Sequence, residues 1–206
     1  MTDVSIGDEV YALTSFRRDG AARGTCRGRI AADPAPKPKT LNLVQAAAVP
    51  LSALTAWQAF FEHARLAPGQ RVLIHGAAGG SGACGSDCPL ARCVRDRHRV
   101  GWRTATFCST LGRMRSLTHQ HVRFEEVVRD MDVVLDTIGG GTRERSWQVL
   151  KLRRNPGQFA GADPRVRKPA AHGKGSKRGV FFIVRPDREQ LEPDRGVDRF
   201  RRSPAR

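Results

Sequence analysis

Long apolar runs are absent from this chain of 206 residues. No stretch approaches the roughly 18 consecutive apolar residues that a membrane-crossing helix needs, so no membrane partner is expected. Met1–Val10 is acidic and has no apolar centre, which argues against a secretory leader. The five cysteines are an odd number with no export signal, a pattern of reduced thiols, and the expected compartment is the cytoplasm. Apolar residues make up 39% of the chain, thin for a globular domain yet too many for a wholly disordered one. The length suits one large domain, or one domain with a fragment of another.

Acidic charge is also short: 36 Lys and Arg face 20 Asp and Glu, a net charge of +16. Such a balance ordinarily points to nucleic acid or an anionic surface. Its distribution argues otherwise, because 13 of the 16 excess charges fall in residues 83–121 and 151–178. Neither block shows strand or helix periodicity, whereas a nucleic-acid surface is built on ordered elements interleaved with aromatics. Specific nucleic-acid binding is therefore not expected. The rival reading is a non-catalytic, partly disordered basic protein that binds polyanions non-specifically.

Patterned segments alternate with unpatterned ones. Gly7–Phe16 reads as a short strand, and Pro34–Lys39, with alternating prolines, as an extended linker. Between 44 and 64, Pro50 suits a first helical turn, and Leu51, Leu54, Trp57 and Phe61 recur at helical spacing. Ala67–Gln70 is a turn, and Val72–Ile74 a continuous apolar run of the kind buried in a parallel sheet. Phe124, Val127 and Val128 mark a helix face. Val133–Leu135 is a second buried strand, followed by a helix with Trp147 and Leu150 on one face. Gly179–Val184 is a third strand, and Asp187 with Gln190 forms a capping box for a helix that Pro193 cuts short. Residues 83–121 hold seven arginines, no lysine and four of the five cysteines, with only a strand-like trace at Ala105 and Phe107. That stretch and 152–178 are expected to be irregular.

The segment Gly76-Ala77-Ala78-Gly79-Gly80-Ser81-Gly82 directly follows a strand. A diphosphate must approach backbone N–H groups closely, and a Cβ there would obstruct it. All seven positions have small side chains or none. The spacing is not strict G-x-G-x-x-G, no Lys-Ser/Thr follows as in a mononucleotide loop, and Ser81 is not in a G-x-S-x-G elbow.

The string VPLSALTAWQAFFEHARLAPGQRVLIHGAAGGSG (Val49–Gly82) resembles the zinc-independent quinone oxidoreductase branch of the medium-chain dehydrogenase/reductase superfamily. GDEVYAL (Gly7–Leu13), FEEVVRDMDVVLDTIGG (Phe124–Gly140) and GVFFIVRPDREQLE (Gly179–Glu192) are similar to later and flanking parts of that family, in the family's order. The resemblance covers about half the chain. It implies an α/β fold: a Rossmann-type doubly wound parallel sheet, incomplete, with a remnant of an N-terminal GroES-like β domain. It assigns residues 1–40 to that remnant and its linker, 41–192 to the dinucleotide domain and 193–206 to a basic tail.

By position, Gly76, Gly79 and Gly82 match the family's dinucleotide-loop glycines, with Ala77, Ala78, Gly80 and Ser81 between them. Thr55 falls near the nicotinamide, Gly139 at the edge of the cofactor cleft, and Phe182 on the strand that approaches the nicotinamide carboxamide. The implied cofactor is NADP, with NAD as the alternative. The implied chemistry is metal-independent hydride transfer to a small quinone or enone, in a homodimer among intact relatives. The resemblance names no catalytic residue.

Several departures qualify these expectations. Most of the family's substrate domain has no counterpart. The acidic residue that a dinucleotide fingerprint places about 20 positions past the loop has no convincing equivalent, because Asp96 lies among arginines with no strand before it. Residue usage in the unpatterned blocks resembles an alternative frame of a GC-rich gene, which suggests an interrupted reading frame. Gly85 and Pro89 are expected to spoil the helix after Gly82, so the chain is expected to bind NADPH weakly or not at all. Cys84, Cys88, Cys93 and Cys108, with His98, lack the close C-x2-C pairs of common zinc sites, so no metal is expected.

Overall fold

The computed structural model describes residues 4–14, 34–86, 88, 92–97, 115–118, 123–151, 158–161 and 177–192. The chain divides into two compact units, Met1–Thr55 with Val184–Arg206, and Ala56–Ile183.

In the first unit, strand β1 (Val10–Tyr11) pairs antiparallel with β2 (Ala35–Pro36). Pro34 and Pro38 thus flank a short strand that contains Pro36, rather than forming a pure linker. Proline is tolerated where the N–H side of an edge needs no partner. Helix α1 (Leu43–Ala47) starts at a reciprocal cap: Asn42 Oδ1 accepts from Gln45 N at 2.8 Å, and Gln45 Oε1 accepts from Asn42 N at 3.1 Å. Helix α6 (Arg188–Leu191) is capped by Asp187, whose Oδ1 accepts from Gln190 N at 3.1 Å. Tyr11 ties the two ends of this unit together by donating its hydroxyl proton to the carbonyl of Leu191.

Helix α2 (Val49–Trp57) contains the boundary between the units and continues as a π-helical turn, Gln58–His63. Here the expected stripe is re-phased. Leu54 is buried, but Leu51 is exposed, and Phe60 rather than Phe61 is fully buried. The π turn, with Ala64 N donating to Ala59 O, inserts an extra residue per turn and rotates the next side chains around the axis.

The second unit is built on six parallel strands: β3 (Arg71–His75), β4 (Arg92–Arg97), β5 (Arg115–Thr118), β6 (Val133–Asp136), β7 (Gln158–Gly161) and β8 (Arg178–Phe181). Their order across the sheet is β5-β4-β3-β6-β7-β8, and every neighbouring pair is parallel. Counted from β3, this is the 3-2-1-4-5-6 order of a doubly wound dinucleotide fold.

The irregularity expected for 83–121 and 152–178 is overturned at β4, β5 and β7. β4 pairs with β3 from Arg71↔Arg92 to His75↔Asp96. The physical reason is main-chain: β3 and β6 are fully committed to the sheet, and their outer edges need partners for N–H and C=O groups whatever side chains the neighbour carries. Apolar periodicity, the signal read from sequence, is silent about such pairing. A regular strand at this position counts against an interrupted frame there. It also corrects the reading of Asp96, which lies in β4, one residue before its end. The Ala105–Phe107 trace and the tail 193–206 lie outside the described residues.

Both faces of the β3–β6 pair are covered. Leu73 and Val134 pack with Phe124, Val128, Met131, Val149 and Leu150, and Trp147 lies against this cluster. These residues join the sheet to helices α4 (Phe124–Val127) and α5 (Gly141–Val149). On the opposite face, helix α3 (Gly80–Ser86) approaches so closely that a Cβ at Gly85 would stand 3.2 Å from both Leu135 Cδ2 and the Phe60 ring. Gly85 therefore does not prevent the helix, as expected from propensity; it lets α3 seat on the sheet. The helix ends before Pro89.

Candidate functional site

The order of strands reverses between β3 and β6, and the chain leaves the carboxyl ends of these two strands in opposite directions. A crevice at this switch point is where ligands bind in open parallel sheets. The two loops that line it are the glycine loop after β3 and Thr137–Gly140 after β6.

Gly76 turns the chain with φ +68°, a conformation that favours glycine, and an added Cβ would lie 2.4 Å from Thr137 Oγ1. Gly79 N donates to Gly76 O at 2.8 Å, and Ala83 N to Gly79 O at 2.8 Å, which starts α3. Gly82 brings the helix against the loop: a Cβ there would meet Gly76 O at 2.3 Å and Ala77 Cα at 2.6 Å. Gly76 and Gly82 are thus required by the fold itself. Gly79 and Gly80 stand exposed at the tip, where main chain, not side chain, faces outward. Ala77 is buried, and Ala78 and Ser81 are half-buried.

The loop after β6 is fixed by two side chains that sequence reading missed. Asp136, buried, accepts from Ile138 N at 2.9 Å and Gly139 N at 3.0 Å through Oδ1. Thr137 Oγ1 donates to His75 O at 2.9 Å, bolting the two loops together. His75 itself is fully buried, with Nε2 2.8 Å from Ser146 Oγ and its ring edge-on to Phe124. Ser146 Oγ also donates to Thr142 O at 2.7 Å. The signal for Asp136 was present: an Asp three residues before a glycine pair is an Asx-turn pattern.

Gly139 (φ +78°) is therefore brought beside the glycine loop. Phe182 follows β8, which β6 and β7 separate from β3, about 14 Å away at ordinary strand spacing. It is buried, its ring 4.4 Å from that of His63. Thr55 belongs to the other compact unit, and its hydroxyl donates to Leu51 O at 2.6 Å. Among the described residues, no group of three or more His, Cys, Asp or Glu is placed to hold a metal ion. Cys108 and His98 lie outside the described residues. No described helix is long and apolar enough to cross a membrane.

Beside this site stands an ionic cluster. Glu125 on α4 is buried, and its Oε1 meets Arg123 at 3.1 Å and Arg145 on α5 at 3.0 Å. Burial pushes the Glu125 carboxyl pKa up, but backbone hydrogen bonding, Arg123 and the charge of Arg145 outweigh it and hold the pKa below the ordinary value. Arg145 also lies over the Phe124 ring at 5.6 Å.

The fold is a Rossmann-type, doubly wound parallel architecture. No family model matches the chain. It is 29% identical over 207 aligned positions to a protein of Arthroderma benhamiae named "Probable zinc-binding oxidoreductase, mitochondrial", an alignment that takes in 90% of this chain and 60% of that one. It is 38% identical to the quinone oxidoreductase of Mus musculus over 43% of this chain and 28% of the relative. An alcohol dehydrogenase superfamily protein of Novosphingobium aromaticivorans superposes with a TM-score of 0.69 at 23% identity, covering 97% of this chain and 61% of that chain. The chain is thus a homologue of quinone oxidoreductase-like and alcohol dehydrogenase-like members of the medium-chain dehydrogenase/reductase superfamily. It spans no more than about three fifths of the length of these relatives.

Proposed function

We propose that the six-stranded unit binds a nicotinamide dinucleotide across the carboxyl ends of β3 and β6, as the cofactor domain of an oxidoreductase of quinone or enone reductase type. The observation that carries this reading is the coincidence of an exposed, side-chain-free loop tip with the topological switch point. The site fits a diphosphate: Gly79 and Gly80 leave room for phosphate oxygens against main-chain N–H groups, and Gly76 and Gly82 hold that main chain in place. Helix α3 has seven residues, so the loop backbone rather than a long helix dipole supports the phosphates.

The chemistry a bound dihydronicotinamide would supply is hydride donation to an electron-poor carbon of the acceptor, without metal. The part of this chain is to bind and orient. Gly139, set by Asp136, borders the nicotinamide side of the crevice, with Thr55 and Phe182 as further cofactor residues. The resemblance implies NADPH, with NADH as the alternative; the glycine loop serves either, since both carry the same diphosphate. The same reading makes residues 1–40 a remnant of the substrate domain and 41–192 the cofactor domain, in the cytoplasm, with a homodimer implied for intact relatives.

Fluorescence or calorimetric titration of both reduced nucleotides against the purified chain, at about 0.15 M salt, tests the proposal. Saturable binding that survives added salt is expected. Binding that vanishes with salt, and that polyanions without a nicotinamide reproduce, would instead establish the non-specific polyanion reading.

A further inference from the structure

Two of the five cysteines lie four residues apart at the end of α3, the helix that begins in the glycine loop. Cys84, within α3, is half-buried, and Cys88, just past it, is buried; both carry thiols. Cys88 N donates to Gly85 O at 3.3 Å, so the chain keeps turning beyond Ser86. Four residues of helical winding set two Cα atoms about 6 Å apart, inside the roughly 4.4–6.8 Å that a disulfide spans. Positions i and i+4 also lie on one side of a helix, one above the other. Gly85 faces Leu135 and Phe60. Cys84, about 100° round the helix from it, keeps part of its surface in solvent.

We propose that Cys84 and Cys88 are a redox-modification site, at which a hydroperoxide joins the two thiols in a disulfide that loosens the glycine loop. The half-exposed thiol is the one an oxidant reaches. As thiolate, Cys84 Sγ attacks one oxygen of the hydroperoxide: an S–O bond forms, the O–O bond breaks, and the thiol proton ends on the leaving oxygen, which departs as water or an alcohol. Cys88 Sγ then attacks Cys84 Sγ, and the displaced hydroxide leaves as water with the Cys88 proton. Two thiols lose two electrons, and one hydroperoxide gains them. Burial of Cys88 reserves it for the second step.

The cross-link acts on the fold through distance. Helical Cβ atoms at i and i+4 stand about 5–6 Å apart, against about 3.5–4.5 Å in a disulfide. The end of α3 must therefore tighten, and that turn contains Gly85, where even a Cβ would stand 3.2 Å from Leu135 Cδ2 and the Phe60 ring. The same short helix presses Gly82 against Gly76 O and Ala77 Cα, so a shift at its end is felt in the loop. A bond formed under such strain is readily reduced, which makes the modification reversible. The cross-link is independent of the cofactor-domain reading above; its effect on nucleotide binding rests on that reading.

The experiment treats the purified, reduced chain with hydrogen peroxide and maps its cysteines by alkylation and peptide mass, before and after a dithiol reductant. We expect one disulfide, Cys84–Cys88, lighter by two hydrogens and reversed by the reductant. It should form in a chain carrying Cys26→Ser, Cys93→Ser and Cys108→Ser together, and be absent from Cys84→Ser and Cys88→Ala. Melting temperatures check that each variant folds; should Cys88→Ala fail to fold, Cys84→Ser decides. Pairing of either residue with Cys26, Cys93 or Cys108, or passage of Cys84 to a sulfinic acid while Cys88 stays a thiol, overturns the proposal. Titration of NADH and NADPH against both forms reads the effect on the loop, and Kd should rise about tenfold or more on oxidation and recover on reduction, but stay constant in Cys84→Ser. Equal affinity of the reduced and oxidised forms overturns the loosening of the loop. Absence of saturable binding by the reduced chain overturns the cofactor-domain reading, while a mapped Cys84–Cys88 bond still upholds the modification site.

Discussion

Replacing Gly82 by alanine adds one methyl group where α3 crosses the start of its own loop. The new Cβ would stand 2.3 Å from Gly76 O, 2.6 Å from Ala77 Cα and 2.8 Å from Gly76 C. Ordinary contact begins near 3.4 Å, so loop and helix must part by about 1 Å. Every obstructing atom is main chain, and none can swing away as a side chain would. Gly76 is held at positive φ against Thr137, and its carbonyl accepts from Gly79 N. Moving α3 outward would also loosen its contact at Gly85 with Leu135 and Phe60. Overpacking of this kind costs about 1–3 kcal/mol. Alanine recovers up to about 1 kcal/mol of helix propensity, so a net loss of about 1–2 kcal/mol is expected.

Gly79→Ala is the internal control. Its Cβ meets only Gly76 O at 3.3 Å, and the residue is exposed, so stability should change by no more than about 0.5 kcal/mol. Urea denaturation of the two variants beside wild type reads the difference. If Gly82→Ala were as stable as Gly79→Ala, the close approach of helix and loop would not exist in solution.

Other expectations follow from the same contacts. Ser146→Ala removes the partner of His75 Nε2 in a fully buried site and should cost about 1–3 kcal/mol in urea denaturation, with Ser146→Thr recovering part of it. The folded-state pKa of Glu125 is depressed, so its contribution is present above the unfolded carboxylate pKa and is lost as pH falls through the folded value. Glu125→Gln should therefore flatten the acid limb of a stability-versus-pH profile while lowering stability at neutral pH. Asp136→Ala removes the acceptor that fixes Ile138 N and Gly139 N, and should weaken nucleotide binding more than it lowers the melting temperature; Asp136→Asn, which keeps an acceptor, should retain most binding.

The sequence alone determined the parts of this protein that apolar pattern and glycine chemistry encode. Val72–Ile74 and Val133–Leu135 are continuous apolar runs, and a strand covered on both faces needs such runs. Consecutive small residues after such a strand leave few alternatives to a close turn, so the loop at Gly76–Gly82 was legible too. Similar reasoning found the cap at Asp187.

What only the tertiary structure decided depends on partners distant in the chain. β4 and β7 become strands because β3 and β6 present edges that main-chain groups must satisfy, and nothing in RCVRDR or QFAG announces that by periodicity. Asp96 acquired its place in the sheet through this pairing. Gly85, a liability by helix propensity, is a packing glycine because Phe60 and Leu135 lie across from it. The π turn at Gln58–His63 shifted burial from Phe61 to Phe60, an offset of one residue invisible to a regular helical count. Thr137 ties the loop after β6 to the end of β3 across 62 residues of sequence, and His75 ties β3 to Ser146 of α5 across 71. Local propensity is a property of neighbours along the chain, whereas hydrogen-bond satisfaction and steric fit belong to neighbours in space.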